Sequence, residues 1–303
     1  MHYITEKEVE QTLDMKETVA ILREAFQDLG VGKSSVSPRE RLHSDGAVLN
    51  SMPGIFAKYH LAGMKCYIAA KGGARFVVLV FDTRSSDLIA VIEANRLGQV
   101  RTGALPAMVS QLLLKKKEQE IAIIGSGYQA ETQLEGLLSV FDAGLVHVYS
   151  RHPENARSFA RRMQSKFGVE ARAHEKVSEA TRDATVINSI TNSNDAIFSR
   201  KDLGERYHVN LCGGNLPMRK EAAEDVLLQS DMVVVEHLEQ AMKESGEIIG
   251  LRKNNPEKEI IELKDLVTKP PAREPERSVF KTMGVGLEDV AAAYQVLKNL
   301  GHI

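Results

Sequence analysis

The chain of 303 residues sets 39 Lys and Arg against 41 Asp and Glu, a formal net charge of −2, and carries two cysteines, Cys66 and Cys212, with no metal-ligand spacing. That balance excludes the basic footprint of a nucleic-acid partner or of a protein held on an acidic membrane surface, and the cysteine usage excludes a disulfide scaffold. The start, Met1-His2-Tyr3-Ile4-Thr5-Glu6, is polar, no apolar run reaches membrane-spanning length, and the length suits two domains. The expectation is a cytoplasmic globular protein.

Thr5-x-x-Glu8 and Asp14-x-x-Glu17 read as capping boxes. The second opens an amphipathic helix with Val19, Leu22, Ala25, Phe26 and Leu29 on one face, closed by Gly30 and Gly32. Residues 34–52 are polar and Arg-bearing and end in Met52-Pro53-Gly54. Strand-like runs follow over 61–69, 76–81 and 88–93, with a turn-rich break at 82–87, a spacing that suggests an antiparallel sheet. Residues 95–114 read as a helix carrying Arg101 and Thr102, and Lys115-Lys116-Lys117 is its solvated end.

From Ile121 the rhythm becomes strand, helix, strand. The β-branched run Ile121 to Ile124 enters Gly125-Ser126-Gly127-Tyr128-Gln129-Ala130, and then Ala130, Leu134, Leu137 and Leu138 share a helical face. Gly125 permits a tight turn, Gly127 leaves room for a phosphate, Ala130 lets the helix pack on the strand, and the helix N-terminus faces the anion. This is the pattern of a dinucleotide pyrophosphate site. Further strands are expected over 145–149, 169–173, 185–190, 208–212 and 232–235, with helices over 154–167, 178–182 and 220–229. The alternation predicts an α/β fold with a doubly wound parallel Rossmann sheet. Residues 269–276, Lys-Pro-Pro-Ala-Arg-Glu-Pro-Glu, read as a linker. The last helix, with Leu287, Val290, Ala291, Tyr294 and Leu297 on one face, has no strand after it and is expected to rejoin the N-terminal part. The predicted organisation is a smaller α+β substrate domain, 1–114 plus 284–303, holding an inserted NAD(P)-binding domain, 115–283.

The second Rossmann strand ends Tyr149-Ser150-Arg151-His152, where an acid would select NAD by binding the ribose 2′-OH. Ser150 and Arg151 suit a 2′-phosphate, which favours NADP(H) and leaves NAD(H) open; Ser150 or His152 can also simply cap the helix that Pro153 begins. Ser189, Ile190 and Thr191 end a strand where the nicotinamide side is expected, and Asn215 follows Gly213-Gly214 at the same sheet edge, as a ligand contact or a turn residue. Glu236 and His237, after the run 232–235, are a lesser candidate acid/base pair. Outside this unit, Lys65 in an apolar strand needs an anion or an edge. Arg101 near a helix start opposes the dipole, so it implies a ligand or an ion pair. Arg39 and Arg41 lie in the polar stretch; with Lys65 and Arg101 they can clamp a small carboxylate.

Together, Met52-Pro53, Gly63-x-Lys65, Arg101-Thr102-x-Ala104, Gly125-x-Gly127-x-Gln129-Ala130, Gly213-x-Asn215-x-Pro217-x-x-x-Glu221 and Gly286-x-Glu288-Asp289 resemble the ornithine cyclodeaminase/μ-crystallin family across the whole chain. The family also includes alanine dehydrogenases and ketimine reductases. The resemblance implies a homodimer paired through the N-terminal sheet. It implies carboxylate binding by Lys65, Arg101 and an upstream arginine, for which Arg41 is the first choice and Arg39 the second. It also implies cofactor contacts at Thr102, at the Gly125 motif and at Gly286. One departure stands out: cyclodeaminases have an acid/base aspartate where this chain has Asn215, and an amide hydrogen-bonds without exchanging a proton near neutrality. The segment between Lys65 and Arg101 is also short for a cyclodeaminase. The expected activity is hydride transfer between a nicotinamide and the α-carbon of a small amino or imino acid, tilted to imine reduction. In it Lys65 and Asn215 are the catalytic candidates. The alternatives are ornithine cyclodeaminase, alanine dehydrogenase, or an NADP(H)-binding protein with little catalysis.

Overall fold

The computed structural model describes residues 1–303. The chain divides into two compact units, Met1–Leu105 with Gly284–Ile303, and Pro106–Met283. The first begins with β1 (His2–Ile4), α1 (Glu6–Thr12) and α2 (Met15–Gly30). Asp14 caps α2, its Oδ1 accepting the Glu17 N–H at 2.9 Å, and the expected face of Val19, Leu22, Ala25 and Phe26 is buried. The polar stretch then forms β2 (Ser35–Val36), β3 (Glu40–Ser44) and β4 (Ala47–Phe56), followed by β5 (Leu61–Ala70), β6 (Gly73–Asp82), β7 (Leu88–Glu93) and α3 (Asn95–Leu113). Strands β2 to β4 correct the sequence reading, which gave residues 34–52 no element. Asp45-Gly46 is a two-residue hairpin loop, with Ser44 paired to Ala47 and Gly46 at φ +71°, and that dipeptide is a hairpin signal. The sheet runs β1-β7-β6-β5-β4-β2, with β3 on β4; only β1 is parallel to its neighbour.

The second unit contains β8 (Glu118–Ile124), α4 (Ala130–Val140), β9 (Asp142–Tyr149), α5 (Pro153–Phe167), β10 (Ala171–His174), α6 (Val177–Thr181), β11 (Val186–Ser189) and β12 (Tyr207–Leu211). It continues with α7 (Glu224–Leu228), β13 (Met232–Val235), α8 (Leu238–Glu244), α9 (Gly246–Asn254), β14 (Ile261–Glu262), α10 (Leu263–Thr268) and β15 (Arg277–Lys281). All eight strands are parallel, in the order β10-β9-β8-β11-β12-β15-β13-β14, a doubly wound sheet whose order reverses between β8 and β11. Two expectations are corrected. Strand β15, unread beside the proline-rich 269–276, lies between β12 and β13. The helix expected over 220–229 is only α7, because the Glu221 carbonyl accepts from Ile197 N and Ala223 N donates to the Phe198 carbonyl, which commits that backbone elsewhere.

The C-terminal helix α11 (Gly286–Asn299) belongs to the first unit and packs on one face of its sheet. Gly54 and Gly63 are paired across β4 and β5. A Cβ on Gly54 would stand 2.6 Å from Leu287 N, and one on Gly63 would stand 2.9 Å from a Val290 methyl, so the helix rests directly on the strand backbone. The opposite face stays open: Leu42, Leu49, Ile68 and Ile55 are 69, 43, 47 and 41% exposed. No helix is long and apolar enough to cross a membrane.

Candidate functional site

The first unit gathers buried cations over the face that α11 covers. Lys65 lies on β5 opposite Met52 and Val78, is only 4% exposed, and donates from Nζ to Asp289 Oδ1 at 3.0 Å. Arg101 on α3 donates from Nε to the same oxygen at 3.1 Å and from Nη1 to Glu288 Oε2 at 2.8 Å. Both acids sit in the first turn of α11, where the helix dipole favours them, and Glu288 Oε1 also accepts the Val285 N–H at 2.9 Å. So the ion pair named as one option for Arg101 is present. Two glycines make room: a Cβ on Gly98 would lie 2.8 Å from Lys65 Nζ, and one on Gly284, at φ +84°, would lie 2.6 Å from Arg101 Nη1. Asp289 Oδ2 is buried with no hydrogen-bond partner.

Burial pushes the Lys65 amine down to about 8; the Arg101 and Arg39 charges push the same way, against the pull of Asp289. An amine in that range can hold or release a proton near neutral pH. The two upstream arginines are placed differently. Arg39, the second choice, is buried, donates from Nη2 to the Gly284 carbonyl at 3.3 Å, and is close enough for its charge to act on Lys65. Arg41, the first choice, is half-buried opposite Asn50, which in turn pairs with Tyr67, one cross-strand row beyond Met52 and Lys65.

The second unit carries a cleft of about 650 Å³ at the sheet's switch point, lined by Gly125 to Gln129, by Ser150, Arg151 and His152, and by Ile190, Thr191 and Gly213. Gly125 has φ +112°, and a Cβ there would stand 2.5 Å from the Ile190 carbonyl oxygen; a Cβ on Gly127 would meet no atom within 4 Å. The α4 N-terminus follows the glycine turn directly and has no side-chain cap, its Ala130 N–H donating to the Gly127 carbonyl at 3.1 Å. A glycine held in the left-handed region, open space above the next one and an uncapped helix start together fit a dinucleotide pyrophosphate. At the end of β9, Ser150 Oγ accepts from Ser126 Oγ at 3.0 Å, and Arg151 is exposed; Arg157, by contrast, is committed to Glu154 and Glu175.

Some sequence candidates fall elsewhere. Ser189 does not line the cleft: it is buried and donates to Glu221 Oε1 at 2.7 Å. Ala130 opens α4 and is buried, as its size suggested. Asn215 is half-buried two residues past Gly213 and is not part of the lining. Thr102 and Gly286 belong to the first unit; Thr102 Oγ1 donates to the Gly98 carbonyl at 2.6 Å, and a Cβ on Gly286 would overlap the Met52 carbonyl. Glu236 accepts Thr282 Oγ1 at 2.6 Å and Met283 N at 2.8 Å, and His237 caps α8, so each has a local structural task. Sequence reasoning missed Glu221 as a functional neighbour, although its motif position had been noted. Its carboxylate accepts Thr191 N at 2.7 Å and Gly213 N at 2.6 Å.

Comparison with known proteins gives a consistent result. The chain is 27% identical over 310 residues to a Delta(1)-pyrroline-2-carboxylate reductase of Bacillus cereus, covering 97% of this chain and 94% of the relative. The Delta(1)-pyrroline-2-carboxylate reductase of Thermococcus litoralis, solved with NADH and L-proline, superposes with a TM-score of 0.91 at 25% identity over 100% of this chain and 98% of that one. An archaeal alanine dehydrogenase dimer with bound NAD gives a TM-score of 0.90 at 25% identity over 98 and 95% of the two chains. The profile of the ornithine cyclodeaminase/mu-crystallin family matches residues 2–302, and the chain belongs to that family.

Proposed function

We propose that this chain is an NAD(P)H-dependent imine reductase for a small cyclic α-imino acid of the pyrroline-2-carboxylate type, yielding the corresponding amino acid. The observation that carries the reading is the buried Lys65–Arg101–Arg39 cluster braced by Glu288 and Asp289. Such a cluster binds one carboxylate through charge-assisted bonds and fixes the adjacent carbon. When bound, the nicotinamide supplies the hydride to that carbon. Lys65 Nζ holds the proton that the imine nitrogen takes up. As the C=N π bond breaks, the carbon gains the hydride and the nitrogen gains the Lys65 proton; a bound dinucleotide would be oxidised in exchange. Asn215, where a cyclodeaminase has its aspartate, supports a one-way reduction over a deamination cycle.

Ser150 and Arg151 favour NADP(H), while the solved relatives named above hold NADH and NAD. The exposed apolar row Leu42–Leu49–Ile68, together with the dimeric alanine dehydrogenase relative, supports a homodimer formed through the open sheet face. The test is a fluorescence titration with NADPH and NADH, followed by turnover of pyrroline-2-carboxylate. Cofactor binding with reduction of the cyclic imine is the expected result. Tight binding with no turnover of any imine or amino acid would instead favour the little-catalysis reading that Asn215 keeps in view.

A further inference from the structure

A second buried ion cluster lies at the carboxyl ends of β11, β12 and β15, and the proposed reaction leaves it unused. Lys281 closes β15 between Leu211 of β12 and Val235 of β13 and is fully buried. Its Nζ has no hydrogen-bond partner; the Glu247 Oε2 oxygen is 3.8 Å away. A buried amine without hydrogen bonds costs stability unless neighbouring charge offsets it. That charge comes from Glu247 and from Glu221, both buried; burial, with Glu247 beside it, holds the Glu221 carboxyl above the usual carboxylate range, and Lys281 opposes that rise.

Glu221 is the hub. Its Oε1 accepts Ser189 Oγ at 2.7 Å, Thr191 N at 2.7 Å and Thr191 Oγ1 at 3.0 Å, and its Oε2 accepts Gly213 N at 2.6 Å. Four donors aimed at one carboxyl favour its ionised form. Thr191 and Gly213 line the cleft beyond β11 and β12, across the glycine turn from Ser150 and Arg151. In a doubly wound sheet the adenosine half lies on the β9 side and the nicotinamide half on this side.

We propose that Lys281 and Glu221 are positioning residues for the nicotinamide half of the cofactor: the lysine charge keeps the Glu221 carboxylate ionised, and the carboxylate fixes the Thr191 and Gly213 backbone against which that half lies. The proposal rests on the cofactor reading above. Its test compares wild type with Lys281→Met and Glu221→Gln, titrating NADPH, NADH and the adenosine-side fragments 2′,5′-ADP and ADP. Losing charge-assisted support should weaken the full dinucleotide by about 10-fold or more in both variants, while fragment affinity stays as in wild type. Raising the pH should restore dinucleotide affinity in Lys281→Met, where Glu221 can still ionise, and should not restore it in Glu221→Gln. Unchanged dinucleotide affinity, or equal losses for dinucleotide and fragments, would overturn the proposal. Amide hydrogen exchange of the bare chain separates this from the cofactor reading. Faster exchange at Thr191 and Gly213 in Lys281→Met is required even if no nicotinamide binds, and wild-type exchange there rejects the linkage outright. A wild-type chain that binds neither dinucleotide nor fragment rejects the functional reading instead.

Discussion

Replacing Lys65 by Met removes the amine while keeping an unbranched apolar stem in its place on β5. The amine is held at about 8 in the fold against an ordinary 10.5, a gap worth about 3 kcal/mol. Because the folded-state value is depressed, the unfolded chain binds more protons between the two values. The penalty is therefore complete below about 8 and is relieved as pH rises from there towards 10.5. Met carries no such penalty, but it leaves Asp289 Oδ1 with Arg101 alone at 3.1 Å. These effects oppose each other, so the variant should unfold within about 2 kcal/mol of wild type at neutral pH. It should also lack the wild-type gain in stability on the alkaline side, as thermal melts across pH would show. Activity should respond far more strongly. Losing a charge-assisted carboxylate contact predicts a fall of about 10- to 100-fold, expressed in KM, and losing the proton donor predicts a further ~10²- to 10⁴-fold, expressed in kcat. In wild type, kcat/KM for imine reduction should decline as pH rises through about 8, as the amine deprotonates. Steady-state kinetics of both proteins over that range is the assay. Normal turnover in the variant, with the alkaline decline still present, would refute both roles of Lys65.

Further outcomes follow from neighbouring contacts. Asp289→Asn removes the anion that raises the Lys65 value, so the alkaline decline of kcat/KM should move to lower pH; a shift upward would contradict the assigned coupling. Gly98→Ala places a methyl 2.8 Å from Lys65 Nζ, the movable end of a side chain; KM for the imino acid should rise several-fold while the melting temperature hardly changes. Arg151→Ala should weaken NADPH by about 10- to 100-fold and leave NADH unaffected in the same titration, the loss expected for a charge-assisted phosphate contact. Ile68→Glu puts a charge in the open apolar face, and light scattering should then report monomers where wild type gives dimers.

Local signals in the sequence were readable wherever backbone chemistry dictates them. The run Ile121 to Ile124 followed by the Gly125 turn foretold β8, the uncapped α4 and the cleft, because a buried parallel strand and a phosphate-sized gap each constrain residue type within a few positions. Asp14 foretold the start of α2 for the same reason. Asp45-Gly46 was equally readable and was passed over among polar neighbours. What could not be read depends on long-range pairing. Lys65 finds Asp289 across 224 positions of chain, so its need for an anion was visible and the anion's identity was not. Arg39 lies just before β3 and Arg41 within it; which of them comes near Lys65 depends on the strand register, which one sequence does not disclose. Strand β15 is five residues, from Arg277 to Lys281, after a proline-rich stretch, and its place between β12 and β13 is purely tertiary.

That late strand has a consequence for how the chain is made. During synthesis β12 and β13 leave the ribosome well before β15, yet neither has its shared neighbour until Lys281 has emerged. Both strands therefore spend the interval with unpaired edges, exposed to pairing with another nascent chain. The first unit waits longer still, since α11 follows β15 in the chain and the Gly54–Gly63 strand backbone it rests on stays uncovered by it until then. A stop or frameshift between β13 and α11 should thus yield aggregate rather than a smaller soluble product, and demand for chaperone holding should fall once β15 and α11 have emerged.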